Sequence, residues 1–405
     1  PTATPPKWLH DQMPDMVAID EKGNPRNFGS RRHYCFSHTG YRAAAVKIAE
    51  AMVKRYGNHP AIAAWQIDNE YGCHDTILSY SNAAAKGFRQ WLQDKYGDIG
   101  KLNTAWGTVF WSMEYRSFDE VDPPLLTVTE PQPSHVLDYR RFASDQVAIF
   151  NRLQTDIVRK HAPNADIMHN FMGFFTEFDH HKVSKDIDVA GWDSYPLGFL
   201  EQFFFSDEEK SKYGRTSHPD IAAFHHDLYR GCTEKERWWV AEQQPGPVNW
   251  ARYNPAPLPG MVRLWTLEAM AHGAELVSYF RWRQAPFAQE QMHSGLLRPD
   301  GSEDTAAGEA RQVAKEIMAL PDAQTEQAPV ALMFDYESVW ATQIQPQGQN
   351  YNGLELTFRC YEALRRLGLN VDIISKERDF DGYKIMVIPN LLLIEEAIAT
   401  RLGQF

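Results

Sequence analysis

The chain has 405 residues, of which 43% are hydrophobic and 13% aromatic, and its formal net charge at pH 7 is -12. This length and composition predict more than one folded domain and exclude a disordered chain. The acidic balance argues against a nucleic-acid partner, which requires a basic surface, and no apolar stretch approaches the ~20 residues of a membrane-spanning helix.

The first predicted strand leads into a loop that carries a carboxylic acid. A short apolar run at about 61–67 is followed by Asn69-Glu70-Tyr71-Gly72. A bounded run of this length is a buried strand more often than a helix. Glu70 would then lie at the strand end where parallel barrels carry their chemistry. The alternative is that Glu70 only caps the following helix.

Strands and helices alternate through the next two hundred residues. This alternation predicts five β/α units around a parallel sheet. The helix at 136–161 has apolar residues at helical spacing and ends before Pro163, so we expect it to cover the sheet. The predicted strands lie at about 61–67, 165–169, 187–193, 237–242 and 275–280, and the predicted helices near 41–57, 80–96, 136–161, 219–231 and 260–272.

A second domain is predicted after a polar linker at 322–327. A strand at 329–335, a helix at about 351–367 and strands at 371–374 and 385–389 form the pattern of a small open α/β sheet. We therefore predict a first domain over 1–321 and a second over 328–405.

A second carboxylic acid, Glu242, ends the aromatic strand at 237–242 and precedes a Pro/Gly loop. Two strand-end glutamates are what a retaining glycosidase requires, since it uses one carboxyl as acid/base and another, about 5 Å away, as nucleophile. Glu70 and Glu242 are distant in sequence, and a closed barrel is the fold that brings such strand ends together.

These segments resemble glycoside hydrolase family 42, the beta-galactosidases of clan A, over nearly the whole chain. The resemblance implies the α/β class with a (β/α)8 TIM-barrel catalytic domain, here N-terminally incomplete, followed by a partial open α/β domain like the family's trimerisation domain. Besides the two glutamate segments, it rests on Pro1–Leu9, Gly29–His33, Gly191–Pro196 and Glu290–Gly295.

The resemblance also implies roles for individual residues. Glu70 would be the acid/base, Glu242 the nucleophile, and Asn69 would hydrogen-bond the sugar 2-hydroxyl. The implied activity is a retaining exo-glycosidase that removes terminal non-reducing beta-D-galactose by double displacement, without a cofactor. Glu70 must be protonated at the start of the cycle and Glu242 ionised.

Three further residues are implied as substrate-binding residues. Trp250 would form the apolar wall of the sugar subsite, and Glu290 and His293 would hold ring hydroxyls and select galactose. The alternatives are that Trp250 is a core aromatic and that His293 is a loop histidine satisfied by local hydrogen bonds.

The chain departs from the family at a metal site. Many members hold a structural zinc with four cysteines; Cys35 corresponds to the first, but the other positions are Ser79, Ser81 and Ala84. A tetrahedral thiolate site cannot form from these side chains, so we predict no structural zinc. His225-His226 invites a metal interpretation, but adjacent side chains on a helix point about 100° apart.

The cysteines indicate the compartment. Cys35, Cys73, Cys232 and Cys360 show no C-x-x-C spacing and are predicted to be reduced thiols of a cytoplasmic protein. Cys73 and His74 could form a nucleophilic pair, but sequence neighbours on a loop rarely face each other in a useful way, so we do not expect one.

The chain begins at Pro1 and stops at Phe405, inside a predicted helix at 395–404. Set against the family pattern, this predicts a fragment that lacks the first barrel strands and the C-terminal part, and a homotrimer when full length. Two alternatives stay open: an alpha-L-arabinopyranosidase of the same family, and a truncated fragment without catalytic activity and with poor solubility.

Overall fold

The computed structural model describes residues 2–321 and 325–405, so Pro1 and residues 322–324 of the predicted linker lie outside the described residues. The chain divides into two compact units that interleave in sequence. The first unit contains Pro1–Ile167, Thr176–Ile187 and Tyr336–Tyr351, and the second contains Met168–Phe175, Asp188–Asp335 and Asn352–Phe405. The predicted division at 321 and 328 differs from these units and stays a prediction.

The first unit is mainly helical. Its helices are α1 (Lys7–Gln12), α2 (Thr39–Tyr56), α3 (Asn82–Tyr96), α4 (Ile99–Trp106), α5 (Pro133–His161), α6 (His180–Ser184) and α12 (Tyr336–Ile344), with short 3-10 turns at Pro14–Met16, Phe110–Ser112 and Phe118–Glu120. Its strand is β1 (Ala64–Gln66). The predicted helices at 41–57, 80–96 and 136–161 are confirmed as α2, α3 and α5.

Local sequence fixes the ends of these helices. The Ser81 hydroxyl accepts a hydrogen bond from the Ala84 amide at 3.3 Å and caps α3, and Gly97 ends that helix in the left-handed region, at a φ of 69°. Because Ser81 is the N-cap, the alternative that Glu70 caps this helix is wrong. Phe88, Phe142 and their buried neighbours form the apolar core between α3, α4 and α5.

The second unit contains three parallel strands of the larger sheet and, from Met168 onward, most of a fourth. They are β2 (Asp166–Met172), β3 (Val189–Ser194), β4 (Trp238–Gln243) and β5 (Val277–Tyr279). Met168 pairs with Val189, Ala190 with Trp238, and Val240 with Val277. With β1, all five predicted strands are observed, in the strand and helix order of a TIM-barrel-type fold.

Helices follow these strands in the second unit. They are α7 (Pro196–Gln202), α8 (Asp207–Tyr213), α9 (Pro219–Arg230), α10 (Met261–Ala271) and α11 (Thr305–Ala319). The predicted helices at 219–231 and 260–272 are confirmed as α9 and α10. Among the described residues, no helix combines the length and apolarity needed to cross a bilayer.

A smaller parallel sheet follows in the second unit. Its strands, β6 (Val330–Met333), β7 (Val371–Ile374) and β8 (Ile385–Val387), lie in the order β7-β6-β8, with α13 (Gly353–Arg366) between β6 and β7 and α14 (Glu396–Gln404) after β8. This confirms the predicted small open α/β sheet.

This sheet packs closely on the end of α9. A Cβ placed on Gly231 would lie 2.0 Å from the Ile373 carbonyl oxygen, so only glycine fits there. Beside it, Arg230 Nη2 lies 2.8 Å from Asp372 Oδ1. Asp227, which is buried, accepts a hydrogen bond from the Tyr361 hydroxyl at 2.5 Å. Charge pairs and close backbone contact therefore join α9 to both α13 and β7.

Candidate active site

The loop after β1 has a strained backbone. Asp68 and Glu70 adopt positive φ angles of 55° and 41°, and Gly72 follows at 80°. Such angles are unfavourable for side chains other than glycine and concentrate at functional sites, where the surrounding structure holds them. The Glu70 side chain is buried at the end of this loop.

Two donors converge on one oxygen of Glu70. Arg31 Nη1 lies 2.8 Å from Glu70 Oε2, and Asn69 Nδ2 donates to the same oxygen at 3.1 Å. Gln66, the last residue of β1, donates to Asn69 Oδ1 at 3.3 Å. The structure therefore brings the predicted Asn69 and Glu70 together and adds Arg31, which sequence reasoning did not assign.

Three hydrogen bonds to the Asp68 carboxylate hold the loop in place. This buried carboxylate accepts hydrogen bonds from Thr2 Oγ1 at 2.6 Å, from Arg32 Nη1 at 3.3 Å and from the Tyr34 hydroxyl at 3.4 Å. Charge-assisted bonds of this kind are about twice as strong as neutral ones. These hydrogen bonds offset the free-energy cost of the positive φ angles at Asp68 and Glu70.

Cys73 and His74 contact each other in the loop after Glu70. The Cys73 Sγ lies 2.9 Å from His74 Nδ1, in a turn where His74 has a φ of 63°. Burial, with the nearby Glu70 charge, raises the pKa of the Cys73 thiol to about 11. The thiol is therefore protonated at neutral pH, and the nucleophilic-pair interpretation is not supported.

Glu242 occupies the carboxyl end of β4, as predicted. The register between β3 and β4 shifts at Trp192/Asp193, so that Asp193 lies opposite Glu242. Such an irregularity re-aims side chains at a strand end. The Tyr195 hydroxyl donates a short hydrogen bond to Glu242 Oε2.

The Tyr195 ring contacts two of the predicted substrate-binding residues, Trp250 and His293. Its centroid lies 5.7 Å from that of Trp250 and 5.5 Å from that of His293, both in edge-to-face geometry. Trp250 is 40% exposed, so the core-aromatic alternative is wrong. A Cβ on Gly198 would lie 2.5 Å from the indole, which fixes the position of the Trp250 ring from behind.

Glu290 and His293 belong to one turn. The His293 amide donates to the Glu290 carbonyl at 2.9 Å, and Glu290 has a φ of 59°. Arg281 Nη2 lies 3.9 Å from Glu290 Oε2, and the His293 ring is buried, with Nδ1 3.2 Å from the Ser294 carbonyl. The turn places an acidic and an imidazole side chain on the same loop.

The positions that correspond to the family's zinc ligands serve other purposes here. Cys35, Ser79 and Ala84 line a small cavity beside Phe142. Ser79 Oγ accepts from the Ile19 amide at 3.3 Å. The four predicted positions thus offer one thiol and two hydroxyls, a donor set that does not fit a thiolate zinc site.

The adjacent histidines on α9 are not a ligand pair. His225 Nε2 accepts from the Phe174 amide at 2.7 Å, and its Nδ1 contacts the Ile221 carbonyl at 2.7 Å. The His226 ring packs on Trp238 in a tilted arrangement, with a centroid distance of 4.7 Å. Both histidines act as core side chains.

Glu70 lies in the first unit and Glu242 in the second. In the first unit, the Glu70 carboxyl group has guanidinium and carboxamide donors. In the second unit, the Glu242 carboxylate has a phenol donor, and Tyr195 contacts the Trp250 indole and the His293 ring of the polar turn. Arg31 and Tyr195, which the sequence reasoning missed, lie within segments 29–33 and 191–196, which it singled out without assigning roles.

Comparison with known proteins agrees with this description. Residues 1–320 match the family model Glyco_hydro_42, described as beta-galactosidase, and residues 328–405 match the model of the beta-galactosidase trimerisation domain. The parallel sheet is of the TIM-barrel type and is followed by a partial α/β domain, which confirms the predicted fold class. The chain belongs to glycoside hydrolase family 42.

Several relatives cover the chain almost completely. A beta-galactosidase of Thermus thermophilus is 57% identical over 98% of this chain and 61% of its own length. One from Halorubrum lacusprofundi is 44% identical over 100% of this chain and 58% of its own length. The crystal structure of a beta-galactosidase from Marinomonas ef1 has a TM-score of 0.97 at 55% identity, covering 100% of this chain and 63% of that one. The chain thus spans about three fifths of the length of these relatives.

Proposed function

We propose that the protein is a retaining exo-glycosidase that hydrolyses terminal non-reducing beta-D-galactose residues. The observation that carries the proposal is Glu242 at the carboxyl end of β4, oriented by the Tyr195 hydroxyl in a chain that belongs to this family. Relatives at 57% and 44% identity are named beta-galactosidases, which supports the same substrate class.

Each glutamate has one role in the proposed reaction. The Glu242 carboxylate attacks the anomeric carbon while Glu70 gives its proton to the glycosidic oxygen, so that the aglycone leaves as an alcohol. The galactosyl ester on Glu242 is then cleaved by a water molecule whose proton passes to Glu70. Both carboxyl groups end in their starting states, and no cofactor enters the cycle.

The substrate-binding residues follow from the same proposal. Asn69, which donates to Glu70, would also hydrogen-bond the sugar 2-hydroxyl, a contact that strengthens in the transition state. The half-exposed face of Trp250 would stack on the apolar face of the sugar. Glu290 and His293 would hold ring hydroxyls that distinguish galactose from its isomers.

The experiment is mechanism-based labelling of the protein with a fluorinated galactosyl fluoride, followed by peptide mapping. We expect one adduct, on Glu242. Glu242→Gly should abolish hydrolysis of an aryl galactoside and allow azide to form a galactosyl azide, while the exposed control Glu234→Gly should keep wild-type activity. Wild-type hydrolysis by Glu242→Gly, or an adduct on another residue, would contradict the proposal. A folded but unlabelled and inactive protein would favour the non-catalytic alternative.

An alpha-L-arabinopyranosidase is not favoured, because the relatives at 57% and 44% identity are named beta-galactosidases. Arabinopyranose has galactose geometry without the hydroxymethyl group, so the ratio of rates on the two aryl glycosides distinguishes the two activities. A higher kcat/KM on the arabinoside would reverse the assignment.

We also propose that the full-length protein is a homotrimer in the cytoplasm. The match of residues 328–405 to a trimerisation domain supports the assembly, and four cysteines without a disulfide support a reducing compartment. A monomeric mass for the full-length protein, measured by light scattering during size-exclusion chromatography, would refute the trimer.

A further inference from the structure

Gln66 begins a chain of hydrogen bonds that leads to the proposed acid/base. It is the last residue of β1, and its Nε2 donates to Asn69 Oδ1 at 3.3 Å. Asn69 Nδ2 in turn donates to Glu70 Oε2 at 3.1 Å. All three residues belong to the first unit. The hydrolysis proposed above assigns no role to Gln66.

The Gln66 carboxamide has a defined orientation. Its Nε2 donates to the Asp68 backbone carbonyl at 3.2 Å as well as to Asn69. Because both of these partners are acceptors, the amide nitrogen of Gln66 faces them, and not its oxygen. The Asp68 carboxylate accepts from the Asn69 backbone amide at 2.7 Å and from Thr2 Oγ1 at 2.6 Å. The loop therefore fixes the donor that Gln66 presents to Asn69.

This donor selects between two orientations of the Asn69 carboxamide. Half a turn of a carboxamide keeps its shape but exchanges its nitrogen and oxygen. In a reversed Asn69, Nδ2 would lie against Gln66 Nε2, which joins two donors. Its Oδ1 would lie against Glu70 Oε2, which joins two acceptors whenever Glu70 is ionised. Gln66 thus favours the orientation in which Nδ2 is directed at Glu70.

The orientation also matters for the substrate. Under the proposed function, Asn69 donates to the sugar 2-hydroxyl, and that contact strengthens in the transition state. An amide nitrogen carries two hydrogens and can donate to Glu70 and to a hydroxyl together, whereas an amide oxygen has none to donate. Gln66 is exposed, so water competes for its hydrogen bonds and the expected effects are moderate.

We propose that Gln66 is a positioning residue that fixes the orientation of the Asn69 carboxamide, and through it the 2-hydroxyl contact of a bound galactoside. The substrate contact rests on the proposed function. The orientation itself rests on the hydrogen bonds of the first unit. Gln66 acts through Asn69 and does not touch the reacting atoms.

Two substitutions alter the donor at Gln66 in different ways. Gln66→Met keeps the length and removes the donor, whereas Gln66→Glu replaces the donor with acceptors that attract Asn69 Nδ2. On an aryl galactoside, Gln66→Met should lower kcat/KM about 3–10-fold, and Gln66→Glu at least about tenfold. The control is Gln90→Met, which removes an exposed donor on α3 that lies 2.9 Å from Asp94 Oδ1 and should keep wild-type kinetics.

Two kinetic comparisons separate positioning from a general effect on folding. The 2-deoxy galactoside lacks the hydroxyl in question, so each Gln66 variant should lose less on it than on the galactoside. In an Asn69→Ala background, Gln66→Met should change kcat/KM by less than about twofold, because the effects of residues that act through one another do not add. Equal losses on both substrates, or the full loss in the Asn69→Ala background, would overturn the proposal.

A measurement without turnover keeps this inference separate from the proposed function. Selective isotope labelling of asparagine gives an NMR signal for the Asn69 side-chain amide, which is identified by its absence in Asn69→Ala. Gln66→Met and Gln66→Glu should both shift this signal, and Gln90→Met should not. A signal that stays in place in both Gln66 variants would overturn the proposal, even in an active enzyme. Shifts in a protein that does not hydrolyse galactosides would refute the proposed function and leave the orienting role supported.

Discussion

Arg31 Nη1 lies 2.8 Å from Oε2 of Glu70, the same oxygen that Asn69 approaches. A guanidinium and a carboxamide thus fix one oxygen of the proposed acid/base, while the loop backbone fixes its direction. Together they orient the carboxyl group before any substrate is bound, which reduces the entropy lost on reaching the transition state.

Arg31→Met is expected to lower kcat/KM on phenyl galactosides roughly 10–100-fold, equivalent to about 1.4–2.7 kcal/mol. The loss should be much smaller on dinitrophenyl galactoside, because a good leaving group does not need the proton from Glu70. Steady-state kinetics on the two substrates measure the difference. Arg55→Met, which alters a surface arginine over Tyr56, is the control. Equal losses on both substrates would show that Arg31 acts on binding or folding instead.

Tyr195→Phe is expected to reduce kcat roughly 10–100-fold with little change in KM. The variant removes the hydroxyl that holds Glu242 and keeps the ring that packs between Trp250 and His293. A hydrogen bond to a charged group contributes about 1.5–3 kcal/mol. The rate of labelling at Glu242 by the fluorinated inactivator should fall in parallel. Tyr253→Phe, at an exposed position, should be unchanged; a wild-type labelling rate for Tyr195→Phe would refute the role.

Asp220→Asn is expected to stabilise the protein increasingly as the pH rises. Burial, followed by repulsion from Glu362, raises the pKa of Asp220 from 3.8 to about 6. Since the folded-state pKa is the higher one, the contribution of protonated Asp220 is fully present below about pH 4 and is lost as the pH rises through about 6. The variant should therefore gain on the order of 1–3 kcal/mol at pH 7 and nothing at pH 4.

Urea unfolding at the two pH values checks this prediction. The exposed Asp156→Asn serves as the control, and its stability should stay within about 0.5 kcal/mol of the parent at both pH values. A constant difference between Asp220→Asn and the parent from pH 4 to 7 would contradict the shifted titration.

Tyr361→Phe is expected to destabilise the second unit by about 1–3 kcal/mol. The variant removes the hydroxyl that donates to buried Asp227 at 2.5 Å. His272 Nδ1 and Arg230 Nη1, each 2.8 Å from Asp227 Oδ1, keep the carboxylate charged but cannot replace the lost donor. Thermal unfolding measures the effect, and Tyr56→Phe at the surface should not change it. No shift for Tyr361→Phe would show that water replaces the hydroxyl.

Sequence patterns predicted the elements that depend on local rules. The strands that end near Glu70 and Glu242 were recognised because turn residues bound their apolar runs, and α5 because of its periodic apolar face. β1 is shorter than predicted, since 61–63 lie outside the strand. The partners of the strand-end glutamates could not be predicted in this way. Arg31 contacts Glu70 and Tyr195 contacts Glu242, and both contacts join residues that are distant in sequence, whereas local patterns predict only nearby contacts.

The position of helix α12 could not be predicted from local sequence patterns either. Its sequence lies inside the segment predicted as a second domain, yet it packs in the first unit. Arg141 Nη2 on α5 lies 2.6 Å from Glu337 Oε2, and Trp340 Nε1 donates to the Thr176 carbonyl at 2.6 Å. Nothing in the local periodicity of 336–344 indicates that the chain returns there.

Gly231 bears on how this protein can be recombined with its relatives. Because the Ile373 carbonyl occupies the space of a side chain at that position, the backbones after α9 and along β7 form a matched pair. A chimera that joins this smaller sheet to an α9 segment from a homologue must therefore keep glycine at the position of Gly231, because a methyl group there would clash with the Ile373 carbonyl and push the two backbones apart.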